Sequence, residues 1–165
     1  MKLTLSILFC VALAMGFTTD DTKKLPNITI TDLQGKPVSI VDAVGTGKVT
    51  VLSFWATWCS PCKRELDAIT ELYPNWVDNY NMQLLAISID NARMLSQVKP
   101  LIEEKGWEFR VLMDSKQDLQ HALEFQAIPQ TFVIDKDGNI IYQHEGYTPG
   151  DEFELEKVLK EAAGK

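Results

Sequence analysis

Cys59 and Cys62, two cysteines separated by two residues, are the side chains of this sequence best suited to do chemistry. They follow a short apolar, β-branched run and open a stretch whose apolar residues recur with helical spacing. The first turn of a helix offers unpaired N–H groups and the positive end of the helix dipole, so a thiolate there is stabilised and its pKa falls. The spacing therefore predicts dithiol–disulfide exchange, with Cys59 as the attacking thiol and Cys62 as the buried thiol that resolves the mixed disulfide.

The elements that must position this pair can be predicted from hydrophobic periodicity and turn residues. Predicted strands are residues 27–31, 36–40, 48–55, 82–89, 109–113, 131–135 and 140–144, and predicted helices begin at residue 59 and cover about 92–105, 115–125 and 151–163. We expect a connection at residues 42–47, an end or kink of the first helix at Pro74, and a cap at Asp114 or Ser115. This order predicts an α/β fold, with a mixed sheet flanked by helices on both faces and an N-terminal β-hairpin.

The length of 165 residues suits one domain, once the N-terminus is set aside. One lysine is followed by an uncharged apolar run of about 15 residues, shorter than the roughly 20 that a membrane-spanning helix needs. We expect residues 1–17 to be a cleaved secretory signal that includes Cys10, and residues 18–165 to be a single domain. The alternative is an uncleaved membrane anchor, whereas cleavage would leave no stable membrane span.

The charge and the cysteine content exclude several classes of protein. The chain has a formal net charge of −7 and no basic face, so we expect no binding to nucleic acid or to an anionic membrane surface. A mature secreted chain with a single close pair of cysteines is not a disulfide-stapled scaffold. Its fold must depend on its own hydrophobic core.

A structural zinc site is the alternative explanation of the cysteine pair. Tetrahedral zinc needs four ligands, and after cleavage of the signal the expected mature chain offers, besides the pair, two scattered histidines, His121 and His144, which do not fall at ligand spacing. We expect both histidines to be solvated, and Lys63 to be a solvated helix residue. We therefore expect no metal and no cofactor.

Three segments together resemble the thioredoxin superfamily: residues 54–63 around the pair, residues 127–132 (AIPQTF) and residues 134–140 (IDKDGNI). The hairpin, the signal, the insert at residues 90–106 and Glu65 are similar to the TlpA/ResA-like branch of extracytoplasmic thiol-disulfide oxidoreductases. The resemblance extends from about residue 25 to the C-terminus. It departs from cytoplasmic thioredoxins at Ser53, where those proteins have a buried aspartate.

The resemblance implies roles for residues outside the pair. The Ile128–Pro129 bond is expected to be cis, in place of the usual trans form, and Ile128 is expected to pair with an extended substrate. Trp58 and Pro61 would border the same substrate groove. Glu65 would accept the proton of Cys62, and its alternative role is a solvated glutamate that pairs with a lysine.

The function implied by the resemblance is reduction of client disulfides in the bacterial periplasm or cell envelope. The expected partners are disulfide-containing clients and an upstream thiol-disulfide protein that donates electrons. The alternatives are a carrier of copper or haem, or a thiol peroxidase. Copper carriers usually separate their cysteines by three residues, and the peroxidase branch has a threonine three residues before its cysteine, whereas Thr57 is two residues before Cys59.

Overall fold

The computed structural model describes residues 23–45 and 47–165, so the predicted signal and Cys10 lie outside the described residues. Within the described part the elements are β1 (Thr29–Asp32), β2 (Pro37–Ser39), α1 (Ile40–Val44), β3 (Val49–Trp55), α2 (Ser60–Tyr80), β4 (Met82–Ser88), α3 (Leu95–Lys105), β5 (Arg110–Met113), α4 (Asp118–Ala122), β6 (Gln130–Ile134), β7 (Ile140–Glu145) and α5 (Asp151–Ala163). None of these helices has the length and apolar character needed to cross a membrane.

The strands of the described chain form one mixed sheet in the order β2-β1-β5-β4-β3-β6-β7. β3 pairs in parallel with β4, and β4 pairs in parallel with β5. The remaining pairs, including the β1–β2 hairpin, are antiparallel. β3 has neighbours on both sides and every one of its residues is buried, which explains its apolar sequence. The predicted mixed sheet and N-terminal hairpin are confirmed.

Side chains of β3 alternate between two cores, one on each face of the sheet. On one face Trp55 packs edge-on against Trp107, with ring centroids 5.0 Å apart, and Ser53 bonds to a side chain of α2. On the other face Phe54 packs against Phe125, which follows α4, with centroids 4.6 Å apart. On this face Gln83 of β4 donates hydrogen bonds of 3.1 and 2.9 Å to the carbonyl groups of Ala43 and Val44 at the end of α1. Helices therefore cover both faces, as predicted.

Helix α1 covers Ile40–Val44, where the sequence predicted the last residue of a strand and the start of a connection at residues 42–47. The hydroxyl of Ser39 accepts a hydrogen bond of 3.2 Å from the N–H of Asp42 and so caps the start of the helix. Ile40 and Val44 are buried against the rest of the chain. A helix of five residues is too short to produce a periodic pattern, and for this reason the sequence reading missed it.

Helix α2 continues through Pro74, where the sequence predicted an end or a kink. It ends only at Asn81, which takes the left-handed conformation (φ 48°) and donates a hydrogen bond to the carbonyl of Val77. A proline inside a helix costs about 3 kcal/mol. Trp76, fully buried in the turn that follows, contributes packing of comparable size, since truncating a buried tryptophan costs about 3–5 kcal/mol.

Helix α4 is shorter than predicted, although its capping group was found correctly. The Asp114 carboxylate accepts hydrogen bonds from the N–H groups of Leu119 (3.2 Å) and Gln120 (2.9 Å). These donors belong to the first turn, whose N–H groups have no partner inside the helix. The helix ends at Ala122, before the predicted end at about Phe125, and Glu124 takes the left-handed conformation (φ 61°).

Candidate active site

Cys59 and Cys62 lie where β3 leads into α2. Cys59 is the N-cap residue of this helix, and its sulfur accepts a hydrogen bond of 3.3 Å from the N–H of Cys62. Pro61 stands in the first turn, where its missing N–H would have no helical partner in any case. The structure thus places the sulfur of residue 59 at the helix N-terminus, where the dipole favours a negative charge.

The two sulfurs form a disulfide and differ in their access to solvent. The Cα atoms of Cys59 and Cys62 are 5.4 Å apart. Cys62 is fully buried, whereas Cys59 retains 5% of its surface and follows Trp58, which is 63% exposed. A thiolate of another molecule therefore reaches the disulfide from the side of Cys59.

The loop that enters β6 lies beside Cys59. The Ile128–Pro129 peptide bond is cis, as the resemblance implied. The carbonyl oxygen of Ile128 lies 3.9 Å from the Cys59 sulfur, and the carbonyl of Pro129 accepts a hydrogen bond of 2.8 Å from Gly146. Pro129 is buried and Ile128 is half-buried. The loop is thus tied to the chain that follows β7 and presents its backbone to the disulfide.

Glu65 is buried above the sheet, so the alternative of a solvated glutamate is wrong. Only 5% of its surface is exposed. One carboxylate oxygen accepts a hydrogen bond of 3.1 Å from the Ser53 hydroxyl, and the other accepts one of 2.7 Å from the Thr131 hydroxyl. Ser53 and Thr131 are directly opposite each other on β3 and β6. Ser53, the departure noted in the sequence, is therefore one of the two donors that hold this carboxyl group.

Burial raises the pKa of Glu65 from 4.5 to about 7, because the charged form loses its hydration. The hydrogen bonds from Thr131 and Ser53 act in the opposite direction, as does the charge of His144, while Asp151 raises the pKa further. A carboxyl group with a pKa near neutrality can both accept and release a proton at physiological pH. It lies on α2 one turn after Cys62.

His144 is only partly solvated, and it has a partner that the sequence did not reveal. This side chain is 36% exposed, and its Nε2 lies 3.3 Å from a carboxylate oxygen of Asp151. It also lines a small cavity that reaches Glu65. His121, by contrast, is exposed on α4. The register of β7 was needed to find this placement, since spacing along the chain does not show it.

Asp90 is a buried carboxylate near the disulfide that the sequence reading missed. It is 1% exposed. Its oxygens accept hydrogen bonds from the N–H (2.9 Å) and hydroxyl (2.8 Å) of Thr57 and from the Ser88 hydroxyl (2.8 Å). Asp90 follows β4, whose carboxyl end lies beside that of β3, and polar residues that follow neighbouring parallel strands meet at one edge of a sheet. That rule could have identified it.

Lys63 also differs from the expectation of a solvated helix residue. It is half-buried, and its ammonium group donates a hydrogen bond of 3.0 Å to the carbonyl of Thr57. The peptide groups on both sides of Thr57 are therefore held, one by Asp90 and the other by Lys63. This positions the segment that leads directly into Cys59.

No group of three or more His, Cys, Asp or Glu side chains that could hold a metal ion occurs in residues 23–45 and 47–165. His144 pairs with Asp151, and His121 is exposed. When reduced, Cys59 and Cys62 are the side chains whose soft sulfur ligands suit an ion such as Cu(I).

Comparison with known proteins shows similarity over most of the chain. The family model described as the AhpC/TSA family matches residues 22–143. The thiol-disulfide oxidoreductase ResA of Bacillus thuringiensis (strain Al Hakam) is 33% identical over 138 residues, which cover 82% of this chain and 77% of that protein. The similarity therefore extends well beyond the CxxC motif.

Two solved structures extend the comparison to three dimensions. A thioredoxin-like protein of uncharacterised function from Porphyromonas gingivalis aligns with a TM-score of 0.76 and 41% identity, covering 87% of this chain and 95% of that one. A candidate thiol:disulfide interchange protein DsbE from Chlorobium tepidum aligns with a TM-score of 0.75 and 26% identity, covering 87% of this chain and 98% of that one. The fold of the described residues is therefore thioredoxin-like.

Proposed function

This chain belongs to the AhpC/TSA family and is a thiol-disulfide oxidoreductase, and we propose that it reduces disulfide bonds of client proteins in the cell envelope. The observation that carries the proposal is the position of the Cys59–Cys62 disulfide at the N-terminus of α2, with the Ile128 carbonyl 3.9 Å from the Cys59 sulfur. The sulfur of Cys59 can be reached from solvent, the sulfur of Cys62 is buried, and the backbone of Ile128 lies beside them, where it can bind an extended client.

In the first step, the Cys59 thiolate attacks a disulfide of the client. A bond forms between Cys59 and one client sulfur, and the other client sulfur leaves as a thiolate that takes a proton from water. The N-terminus of α2 stabilises the Cys59 thiolate through its dipole and through the Cys62 N–H, which points at the sulfur. The cation of Lys63, four residues later, acts in the same direction.

In the second step, Cys62 gives its proton to Glu65 and attacks the sulfur of Cys59. The Cys59–Cys62 disulfide forms, the client leaves with two electrons, and its thiolate is protonated by solvent. Residues three apart on a helix are neighbours, so Glu65 lies within one turn of the thiol that it must deprotonate. Its pKa of about 7 suits an acceptor that works near neutral pH.

The client would lie across Cys59 between Trp58 and the loop of Ile128 and Pro129. Trp58 offers a large exposed apolar surface, and Pro61 is half-buried in the first turn of α2 on the same rim. A client strand that pairs with the backbone of Ile128 would gain hydrogen bonds without requiring a particular sequence. This mode of binding suits an enzyme that acts on several clients.

Reduction leaves the protein oxidised, so the cycle needs an upstream dithiol protein to restore Cys59 and Cys62. The direction of exchange is set by reduction potentials, and reduction is the direction that the resemblance to the TlpA/ResA-like branch implies. The apolar segment at residues 1–17, expected to be a secretory signal, supports a location outside the cytoplasm.

Reduction of insulin by dithiothreitol tests the proposal. The full chain should accelerate precipitation of the insulin chains, and Cys59→Ser should abolish the acceleration. Cys10→Ser is the matched control, because it replaces a cysteine outside the proposed site, and it should retain activity. Equal rates for wild type and Cys59→Ser, together with copper bound to the purified protein, would establish the carrier function instead.

Trapping of clients tests which cysteine attacks. Cys62→Ala should accumulate mixed disulfides with client proteins, because the resolving thiol is gone, whereas Cys59→Ala should not. Non-reducing gels of the two variants give the answer. Equal trapping by both would reverse the assignment of the attacking thiol.

The bonding of Thr57 bears on the peroxidase alternative. Its hydroxyl donates a hydrogen bond of 2.8 Å to Asp90, so it is committed to that carboxylate. Consumption of hydrogen peroxide by the reduced protein should therefore be no faster than by a small dithiol. Rapid peroxide turnover that depends on Cys59 would favour a thiol peroxidase.

A further inference from the structure

A cavity with a volume of about 10 Å³ lies beside Glu65, between α2, β6, β7 and α5. This volume is close to what one water molecule needs. Its polar lining includes Glu65, Thr131, Tyr142, His144, Tyr147 and Asp151. A cavity of this size and lining can hold a water that links the buried carboxyl group to the groups nearer the surface.

His144 is the neighbour of Glu65 across the sheet. The register of β6 and β7 places His144 directly opposite Thr131, so both side chains project from the same face. Directly opposed residues have Cβ atoms about 4.5–5.5 Å apart. Since the Thr131 hydroxyl lies 2.7 Å from the Glu65 carboxylate, His144 is separated from Glu65 by one side chain and the cavity.

Asp151 prepares His144 to accept a proton. Its carboxylate oxygen lies 3.3 Å from the Nε2 of His144 and accepts a second hydrogen bond of 2.7 Å from the N–H of Thr148. In the tautomer that donates its Nε2–H to Asp151, Nδ1 is the accepting nitrogen, and the carboxylate stabilises the cation that forms when Nδ1 takes a proton. The side chains of His144 and Asp151 are 36% and 32% exposed, so the pair also contacts solvent.

The other titratable groups that face Glu65 are less suited to this exchange. On β7 and in the loop after it, burial raises the pKa of Tyr142, and burial raises that of Tyr147 to about 12, so both remain protonated near neutral pH. On α5, the carboxylate of Glu152 accepts hydrogen bonds from the Tyr147 hydroxyl and from the N–H of Gly150. The imidazole of His144 is the lining group with one ring nitrogen that can donate a proton and another that can accept one.

We propose that His144 carries protons between Glu65 and solvent through this cavity. Protonated Glu65 passes its proton by way of a water taken up in the cavity to Nδ1 of His144, which leaves a carboxylate and an imidazolium; the imidazolium then releases the proton to solvent. The reverse sequence reloads the carboxyl group. No electrons move in these steps. The inference rests on the proposed role of Glu65 as acceptor of the Cys62 proton, and it explains how Glu65 is reset between turnovers although the residue is buried.

The rate at which Glu65 gains or loses its proton tests the inference. It can be followed in the oxidised protein, without any client, by the infrared absorption of the carboxylic acid C=O group after a pH jump across about 7. The band that is absent in Glu65→Gln reports the proton of Glu65. His144→Gln should slow its exchange by about tenfold or more, and added imidazole should restore the rate by carrying the proton in its place. His121→Gln is the matched control, because this exposed histidine lies on α4, and it should leave the rate unchanged.

Three outcomes would overturn the inference or its premise. Exchange in His144→Gln at the wild-type rate would show that protons bypass this residue. Slowing without rescue by imidazole would indicate a structural role only. If His144→Gln does not fold, the same rate is measured in Asp151→Asn. Loss of the charge that stabilises the imidazolium should also slow proton exchange at Glu65, and an unchanged rate would contradict the inference. Absence of a Glu65 band in the wild type would refute the proton step of the proposed function, whereas the insulin assay of Cys59→Ser tests that function separately.

Discussion

Replacing Glu65 by glutamine should change how the stability of the oxidised protein depends on pH. The carboxyl group is buried, and two hydroxyl donors satisfy it without any cation in hydrogen-bond contact. Glutamine keeps the size and remains neutral at every pH. Its amide can accept from one hydroxyl and donate to the other, so the variant should fold with the same contacts.

The magnitude follows from the raised pKa. Between pH 4.5 and about 7 the folded state holds a proton on Glu65 that the unfolded state has already lost. Because the folded state binds more protons in this window, the free energy of unfolding falls as pH rises through it, and the full loss is present above pH 7. At 1.36 kcal/mol per pKa unit, the free energy of unfolding of the wild type should fall by about 3 kcal/mol relative to that of Glu65→Gln as the pH rises through this window.

Urea denaturation of oxidised wild type and Glu65→Gln at a series of pH values from about 4 to about 9 measures this difference. Glu71→Gln is the matched control, since Glu71 is exposed on the same helix, and it should show no such trend against the wild type. The difference in the free energy of unfolding between wild type and Glu65→Gln should change with pH. If it stays constant within about 0.5 kcal/mol over this range, the claim that burial of Glu65 controls its protonation is refuted.

Three further substitutions test other parts of the structure. Asp90→Asn should lower the free energy of unfolding by about 1–3 kcal/mol, because Thr57 loses an acceptor; an unchanged urea midpoint would contradict this. Trp58→Ala should change stability by less than about 0.5 kcal/mol, since the ring is 63% exposed, but should raise the KM for insulin; an unaltered KM would remove Trp58 from the client groove. Phe125→Ala should cost about 3–5 kcal/mol in a urea titration, because its ring packs 4.6 Å from Phe54; a much smaller loss would show that the core refills the space.

Most of the fold could be predicted because its strands and longer helices have strong local patterns. The run at β3 is apolar without interruption, and α5 occupies the predicted residues 151–163. The predictions that were wrong concern places where tertiary packing overrides a local sequence rule or where an element is too short for the rule to apply. Proline normally ends or kinks a helix, yet α2 continues past Pro74, and the buried side chain of Trp76 stabilises the turn that follows. Helix α1 is too short to have a period.

For the site, the sequence alone determined the cysteine pair, because its chemistry depends on two neighbours and on the start of one helix. It also pointed to Glu65, through resemblance and its place one turn after Cys62. Only the tertiary structure decided that Glu65 is buried, since the donors that hold it come from Ser53 and Thr131 on two different strands.

The same holds for Asp90 and His144. Asp90 reaches Thr57 across 33 positions of the chain, and His144 approaches Glu65 through the register of β6 with β7. Hydration and burial depend on everything that surrounds a group, whereas a sequence pattern reports only what is near along the chain. The identity of the reacting sulfurs is therefore local information, and the proton chemistry that serves them is a property of the assembled sheet.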